Sequence, residues 1–214
     1  MKFDNKSLLL YAVTDRSWVG RQTFQEQVEE ALAAGVTFLQ LREKQINEEE
    51  FLKEAREIKK LAKKYNVPFV INDNVQVALQ SDADGVHVGQ SDMEADDVRK
   101  LLGKEKILGV SVQTVEQAKT AEKRGADYLG VGAVFNTSTK TDAAEVSYKT
   151  LKEICEAVSI PVVAIGGIDS ENVSQLAGSG IEGIAVISAL FSNDSIRKAA
   201  ESLKKEIKAV VSNE

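Results

Sequence analysis

Eight times along this chain of 214 residues a short apolar, β-branched run is followed by a stretch of helical period, with no linker between units. Alternation of this kind signals parallel strands joined by crossover helices. Strands are read at residues 8–14, 38–42, 68–72, 85–88, 107–112, 128–134, 162–166 and 183–188. Helices are expected at 24–34, 48–65, 75–81, 95–102, 115–124, 148–158, 170–177 and 195–211. Runs such as FVIN and VVAIGG are apolar on both faces, as strands covered by helices must be. Eight such units in this length close most economically into a single (β/α)8 TIM barrel, an α/β fold spanning residues 1–214 as one domain. An open doubly wound sheet is the alternative and fits less well, because the first turn is not glycine-rich.

The punctuation agrees with this frame. Gly35, Gly103, Gly125 and Gly180 stand where a helix ends in a left-handed residue. Thr23, Asn47, Thr114 and Asp169 or Ser170 stand where a side chain can cap free N–H groups at a helix start.

In a barrel of parallel strands the chemistry gathers at the C-terminal strand ends. After the second strand, Gln40, Arg42 and Lys44 are spaced by two, so an extended chain puts them on one side and turns Leu41 and Glu43 to the other. Two cations and an amide at the mouth suit an anion, with a solvated salt-bridge cluster around Glu43 as the competing reading. The third strand closes with Asn72 and Asp73, and Asp92 follows the fourth. Carboxylates from adjacent loops can share a hard cation, and with phosphate oxygens and water completing the shell Mg²⁺ suits them better than Ca²⁺. Taken singly, each aspartate reads as a cap or turn residue. His87 is the one histidine, set inside the fourth strand between Val86 and Val88, where a hydrogen-bonded structural role is expected ahead of general-base catalysis. Ser111 ends the fifth strand, and Asn136, Thr137, Ser138, Thr139 and Lys140 form a polar run after the sixth. Gly166, Gly167, Ile187 and Ser188 close the last two strands, where glycine lets backbone amides approach a phosphate. Two anion sites emerge, one rich in cations on loops two to four and one built from amides on loops six to eight.

Charge narrows the partners. Lys and Arg number 27 against 33 Asp and Glu, a net charge of −6 that disfavours nucleic acid. No run approaches the length of a membrane span, so a cytoplasmic protein acting on small phosphorylated molecules is expected, and a homo-oligomer is compatible with the sequence. Cys155, the one cysteine, falls on an apolar helix position and reads as a buried thiol.

The segments YAVTD, QLREK, INDN, DGVHVGQSD, GVS, GADYLGVGAVFNTSTK, VAIGGI and GIAVISA, in this order from about residue 10 to about residue 190, resemble the thiamine-phosphate synthase family. The resemblance implies that a pyrimidine-methyl diphosphate is joined to a thiazole phosphate with loss of pyrophosphate. It implies that Gln40, Leu41, Arg42, Glu43, Lys44, Asn72, Ser111 and Lys140 bind the pyrimidine diphosphate, with Arg42, Lys44, Ser111 and Lys140 carrying catalysis. Asp73 and Asp92 would hold Mg²⁺, while Thr137, Ser138, Thr139, Gly167, Ile187 and Ser188 would bind the thiazole phosphate. A related thiazole tautomerase uses a histidine near the fifth strand, where this chain has Gln113. A non-catalytic barrel that binds thiazole or thiamine phosphate is a further alternative.

Overall fold

A computed structural model describes residues 4–20, 22–90, 94–136 and 145–212. The eight apolar runs form β1 (Leu10–Val13), β2 (Phe38–Leu41), β3 (Phe69–Asn72), β4 (Gly85–Val88), β5 (Ile107–Val112), β6 (Tyr128–Val131), β7 (Val162–Ile165) and β8 (Gly183–Val186). They pair in parallel in sequence order and β8 returns to β1, a closed TIM barrel. Around it lie α1 (Phe24–Ala33), α2 (Glu48–Lys64), α3 (Val75–Gln80), α4 (Ala95–Leu102), α5 (Val115–Lys123), α6 (Tyr148–Ala157), α7 (Ser188–Phe191) and α8 (Ile196–Val211).

The helix starts follow the capping residues. Thr23 and Glu26 form a reciprocal capping box, and Asn47 and Thr114 accept from the third residue of α2 and α5. Gly35, Gly103, Gly125 and Gly180 all take positive φ.

Four segments depart from expectation, one being β6, which ends at Val131 rather than at residue 134. The helix expected at 170–177 is a single 3-10 turn, Val173–Leu176. Its Ser and Asn content disfavours a longer helix, and Asp169 and Asn172 instead hold a side-chain-bonded turn before it. Leu8 belongs to a 3-10 turn, Asn5–Leu8, capped by Asp4 rather than to β1. Ser188 opens α7 rather than ending β8.

Period-two alternation gives the barrel two separate apolar layers. Outward residues such as Leu39, Leu41, Ile71 and Leu129 pack under the helices. Inward residues Tyr11, Val13, Phe38, Val70, Ile107, Tyr128, Val163 and Ala185 fill the barrel, with Leu8 packed in the same cluster. Each fully buried aromatic or aliphatic side chain contributes about 2–3 kcal/mol. Glycine is needed at one inward position in particular: a Cβ on Gly109 would lie 2.2 Å from Tyr128 Cζ and 2.5 Å from His87 Nδ1. The β5 backbone thus leaves room for two polar rings inside the barrel.

Candidate active site

Loops one to three build a wall of ion pairs at the barrel mouth. Lys44 Nζ lies 2.6 Å from Asp73 Oδ2, and Arg42 Nη1 lies 3.3 Å from Asp15 Oδ2 in the β1 loop. Arg42 also donates its backbone N–H to Thr14 Oγ1, which joins the β2 exit to the β1 exit. The Nε of Arg42 is buried with no hydrogen-bond partner among the described residues. Such an uncompensated donor is costly, and an acceptor arriving at the mouth would satisfy it. Asp73 holds a left-handed φ of 62°, uncommon for a residue with a side chain, and its backbone N–H is fixed by the His87 carbonyl at 2.8 Å.

Alternation places Gln40 inward and Leu41 and Glu43 outward, as the spacing predicts. Leu41 is fully buried beneath the helices, so only its backbone can face a ligand. Glu43 is equally removed from the mouth. It accepts from Arg16 at 2.9 Å, and the same guanidinium bonds both oxygens of Glu54 at 2.7 Å. Two buried carboxylates thus share one cation, and burial, with Glu43 nearby, pushes the Glu54 carboxyl up to about 7 against the pull of Arg16.

A second construction, of amide, hydroxyl and imidazole groups, runs through the barrel. Gln40 Nε2 donates to the Tyr11 hydroxyl, which lies 2.8 Å from the Tyr128 hydroxyl. Tyr128 in turn lies 2.9 Å from His87 Nδ1, and His87 Nε2 lies 2.8 Å from Ser111 Oγ. Gln90 adds a bond to the Ser111 carbonyl at 2.7 Å. Burial pushes both tyrosine hydroxyls well above their ordinary range, so both keep their protons. His87 is thereby placed as the hydrogen-bonded group its position in β4 suggests.

Among the described residues, the opposite wall shows no such ion pairs. Gly166 and Gly167 follow β7 with φ of 99° and 65°, and Ser188 begins α7 after Ile187. A Cβ on Gly167 would lie 2.4 Å from the Asn136 carbonyl oxygen and 2.9 Å from Phe135, so the two loops pack too closely there for a side chain. Asp92, Thr137, Ser138, Thr139 and Lys140 lie outside the described residues, and among the described ones no group of three or more potential ligands is gathered for a metal.

The comparisons with known proteins decide the family. Residues 10–190 match the family model described as thiamine monophosphate synthase. The chain belongs to the thiamine monophosphate synthase family. It is 54% identical over 194 residues to the thiamine-phosphate synthase of Ruminiclostridium cellulolyticum, covering 91% of this chain and 92% of the relative. To that of Clostridium tetani it is 49% identical, covering 93% and 96%. Among solved structures, thiamine phosphate pyrophosphorylase from Pyrococcus furiosus matches with a TM-score of 0.89 and 40% identity, over 97% of this chain and 98% of the other.

Within this thiamine monophosphate synthase fold, reading the sequence singled out the strand-end residues and missed those beneath them. Tyr11, Tyr128, Asp15 and Arg16 were not recognised as parts of the site. A signal existed for the tyrosines: both fall on inward positions of their strands, and Tyr128 is registered against Gly109. A polar aromatic registered against a glycine on the neighbouring strand is a polar ring that has been given room.

Proposed function

We propose that the chain is a thiamine-phosphate synthase. It joins 4-amino-2-methyl-5-(diphosphooxymethyl)pyrimidine to 4-methyl-5-(2-phosphooxyethyl)thiazole and releases pyrophosphate. The observation that carries the reading is the asymmetry of the mouth. Arg42 and Lys44 stand on one side held by exchangeable carboxylates, and glycine amides stand on the other. That arrangement suits one ligand bearing a multiply charged leaving group and a second bearing a single phosphate.

In this reading Arg42, Lys44 and Lys140 take the diphosphate, whose negative charge grows as its bond to carbon breaks. Gln40, Asn72 and Ser111 orient the pyrimidine, and the backbones of Leu41 and Glu43 complete the segment. Thr137, Ser138, Thr139, Gly167, Ile187 and Ser188 hold the thiazole phosphate. The amino group of the pyrimidine stabilises a developing methylene cation, and the thiazole nitrogen attacks with a lone pair it already has. No base is required for the nucleophile; alignment of the two rings and exclusion of water are what the barrel supplies.

Asp73 fits a hard cation. Among the described residues its side-chain bonds, from Lys44 and Asn72, both fall on Oδ2, which leaves the lone pairs of Oδ1. Asp73 with Asp92 would hold Mg²⁺, which when bound neutralises charge on the diphosphate. The protein would work in the cytoplasm as a single domain on small phosphorylated substrates, and no described helix is long and apolar enough to cross a membrane.

The test is pyrophosphate release measured with both substrates and Mg²⁺. Release that needs both substrates is expected. Turnover of either one alone, or binding with no turnover, would favour the tautomerase or the non-catalytic barrel.

A further inference from the structure

The bonds from Gln40 to Ser111 form one unit, because each hydroxyl in it has a single proton to give. Gln40 Nε2 donates to Tyr11, so the Tyr11 proton goes to Tyr128 and the Tyr128 proton to His87 Nδ1. A neutral His87 then carries its proton on Nε2 and donates to Ser111 Oγ. The Ser111 proton is left for a ligand, while Gln40 keeps Oε1 as an acceptor at the other end.

We propose that Tyr11 and Tyr128 are positioning residues that, acting through His87, fix Ser111 as a donor and Gln40 as an acceptor toward the bound ring. Resting on the reading above, this names what the mouth selects: a heteroaromatic ring whose amine sits beside a ring nitrogen. Ser111 donates to the ring nitrogen and Gln40 accepts from the amine. The oxo counterpart of that ring exchanges its donor and its acceptor, and it meets two donors at one end and two acceptors at the other.

Space has been made for this unit. Gly109 and Gly130 leave the inward face of β5 and β6 bare where Tyr128 and His87 lie, with Cβ positions 2.2 Å from Tyr128 and 3.1 Å from His87. The rings also pack together, Tyr11 edge to face with Tyr128 at a centroid distance of 6.0 Å and tilted against Phe38 at 4.6 Å. Tyr→Phe variants keep that packing and remove only the hydroxyl.

The chain has one histidine, so its side-chain ¹⁵N shifts report one tautomer without ambiguity. In the free protein, long-range ¹H–¹⁵N correlation is expected to show His87 as the Nε2–H form. Tyr11→Phe removes a group that does not touch His87, yet it is expected to mix the tautomers. A wild-type Nδ1–H form, or shifts in Tyr11→Phe identical to wild type, overturns the proposal. In the kinetic arm, Tyr11→Phe is expected to lower kcat/KM for the amino pyrimidine diphosphate about fivefold to tenfold. It should also narrow the preference for the amino ring over the oxo ring by a similar factor, with KM for thiazole phosphate unchanged. An unchanged preference overturns the selectivity. The spectroscopic arm needs no substrate, so an inactive wild-type protein would strike at the proposed function and leave the proton order to be judged by itself.

Discussion

The two walls of the mouth solve the problem of holding an anion in opposite ways. On loops one to three, Lys44 is already paired with Asp73 and Arg42 with Asp15, so under the proposed function an arriving diphosphate would take cations that carboxylates have kept in place. On loops seven and eight, Gly166 and Gly167 hold left-handed backbone against the β6 loop, and shape substitutes for charge. A wall of ion pairs is adjustable, because partners can be exchanged as charge moves during a reaction. A wall of glycine backbone is fixed and suits a phosphate whose charge does not change.

The contrast breaks most sharply at the metal. Asp73→Ala and Asp92→Ala are each expected to lower turnover on the order of a hundredfold to a thousandfold, as loss of a stabiliser of developing charge does. Under the proposal both would serve one ion, so the double variant should lose little more than either single one. Full activity of either at low Mg²⁺ would sink the assignment. Lys140→Ala, in the loop after β6, removes a cation proposed to meet the same diphosphate and should act mainly on kcat, because that group becomes more negative in the transition state.

The backbone wall predicts a different signature. Any side chain on Gly167 meets the Asn136 carbonyl and the Phe135 backbone at a φ that L-residues avoid. Left-handed strain alone costs about 1–2 kcal/mol, enough for roughly a tenfold rise in KM. Gly167→Ala should show that rise for thiazole phosphate, and Gly167→Val a larger one, with KM for the pyrimidine diphosphate little changed. A rise confined to the pyrimidine diphosphate would reverse the placement of the two sites.

A smaller effect separates the mouth from the chain beneath it. His87→Gln should stay within about tenfold of wild type, since an amide can still donate to Ser111 and no proton leaves the nucleophile. A loss beyond about a thousandfold in a well-folded variant would make His87 a catalytic base.

The two walls were also unequally legible. The spacing of Gln40, Arg42 and Lys44 showed which side chains share a face, because strand alternation is a local rule and the strand ends nearby. Nothing local ties Arg16 to Glu43 and Glu54, or Tyr11 to Tyr128, which lie 117 residues apart in sequence. The first set follows from β1 lying beside β2, and the second from barrel closure, which brings inward residues of distant strands together. The expected helix at 170–177 failed for the converse reason. Its apolar spacing was real, but Asp169 and Asn172 offered the backbone local partners that compete with helical bonds. Ser188 was read as a strand end because an apolar run cannot show where a strand gives way to a one-turn helix.

The least of the expected effects concerns the support of the charged wall. Arg16 bonds Glu43 and Glu54 together, and with both carboxylates ionised the buried trio carries one negative charge in excess. Burial holds the Glu54 carboxyl up to about 7, above its unfolded value. A raised carboxyl binds its proton more tightly in the folded state. Its contribution to stability is therefore complete below the unfolded value and is lost as pH rises through about 7. Glutamine imitates the protonated acid at every pH. The melting temperature of Glu54→Gln should match wild type near pH 5 and exceed it by a few degrees near pH 8, about what a stability change of 1 kcal/mol produces in a chain of this size. Taking the difference between the two proteins cancels Glu26, Glu29, Glu30, Asp82 and Glu122, whose carboxyls are held low and weaken the fold only in acid. A melting difference that is the same at both pH values would mean that Glu54 keeps its charge throughout. The extra negative charge beneath the Arg42 and Lys44 loop would then be a permanent part of the wall.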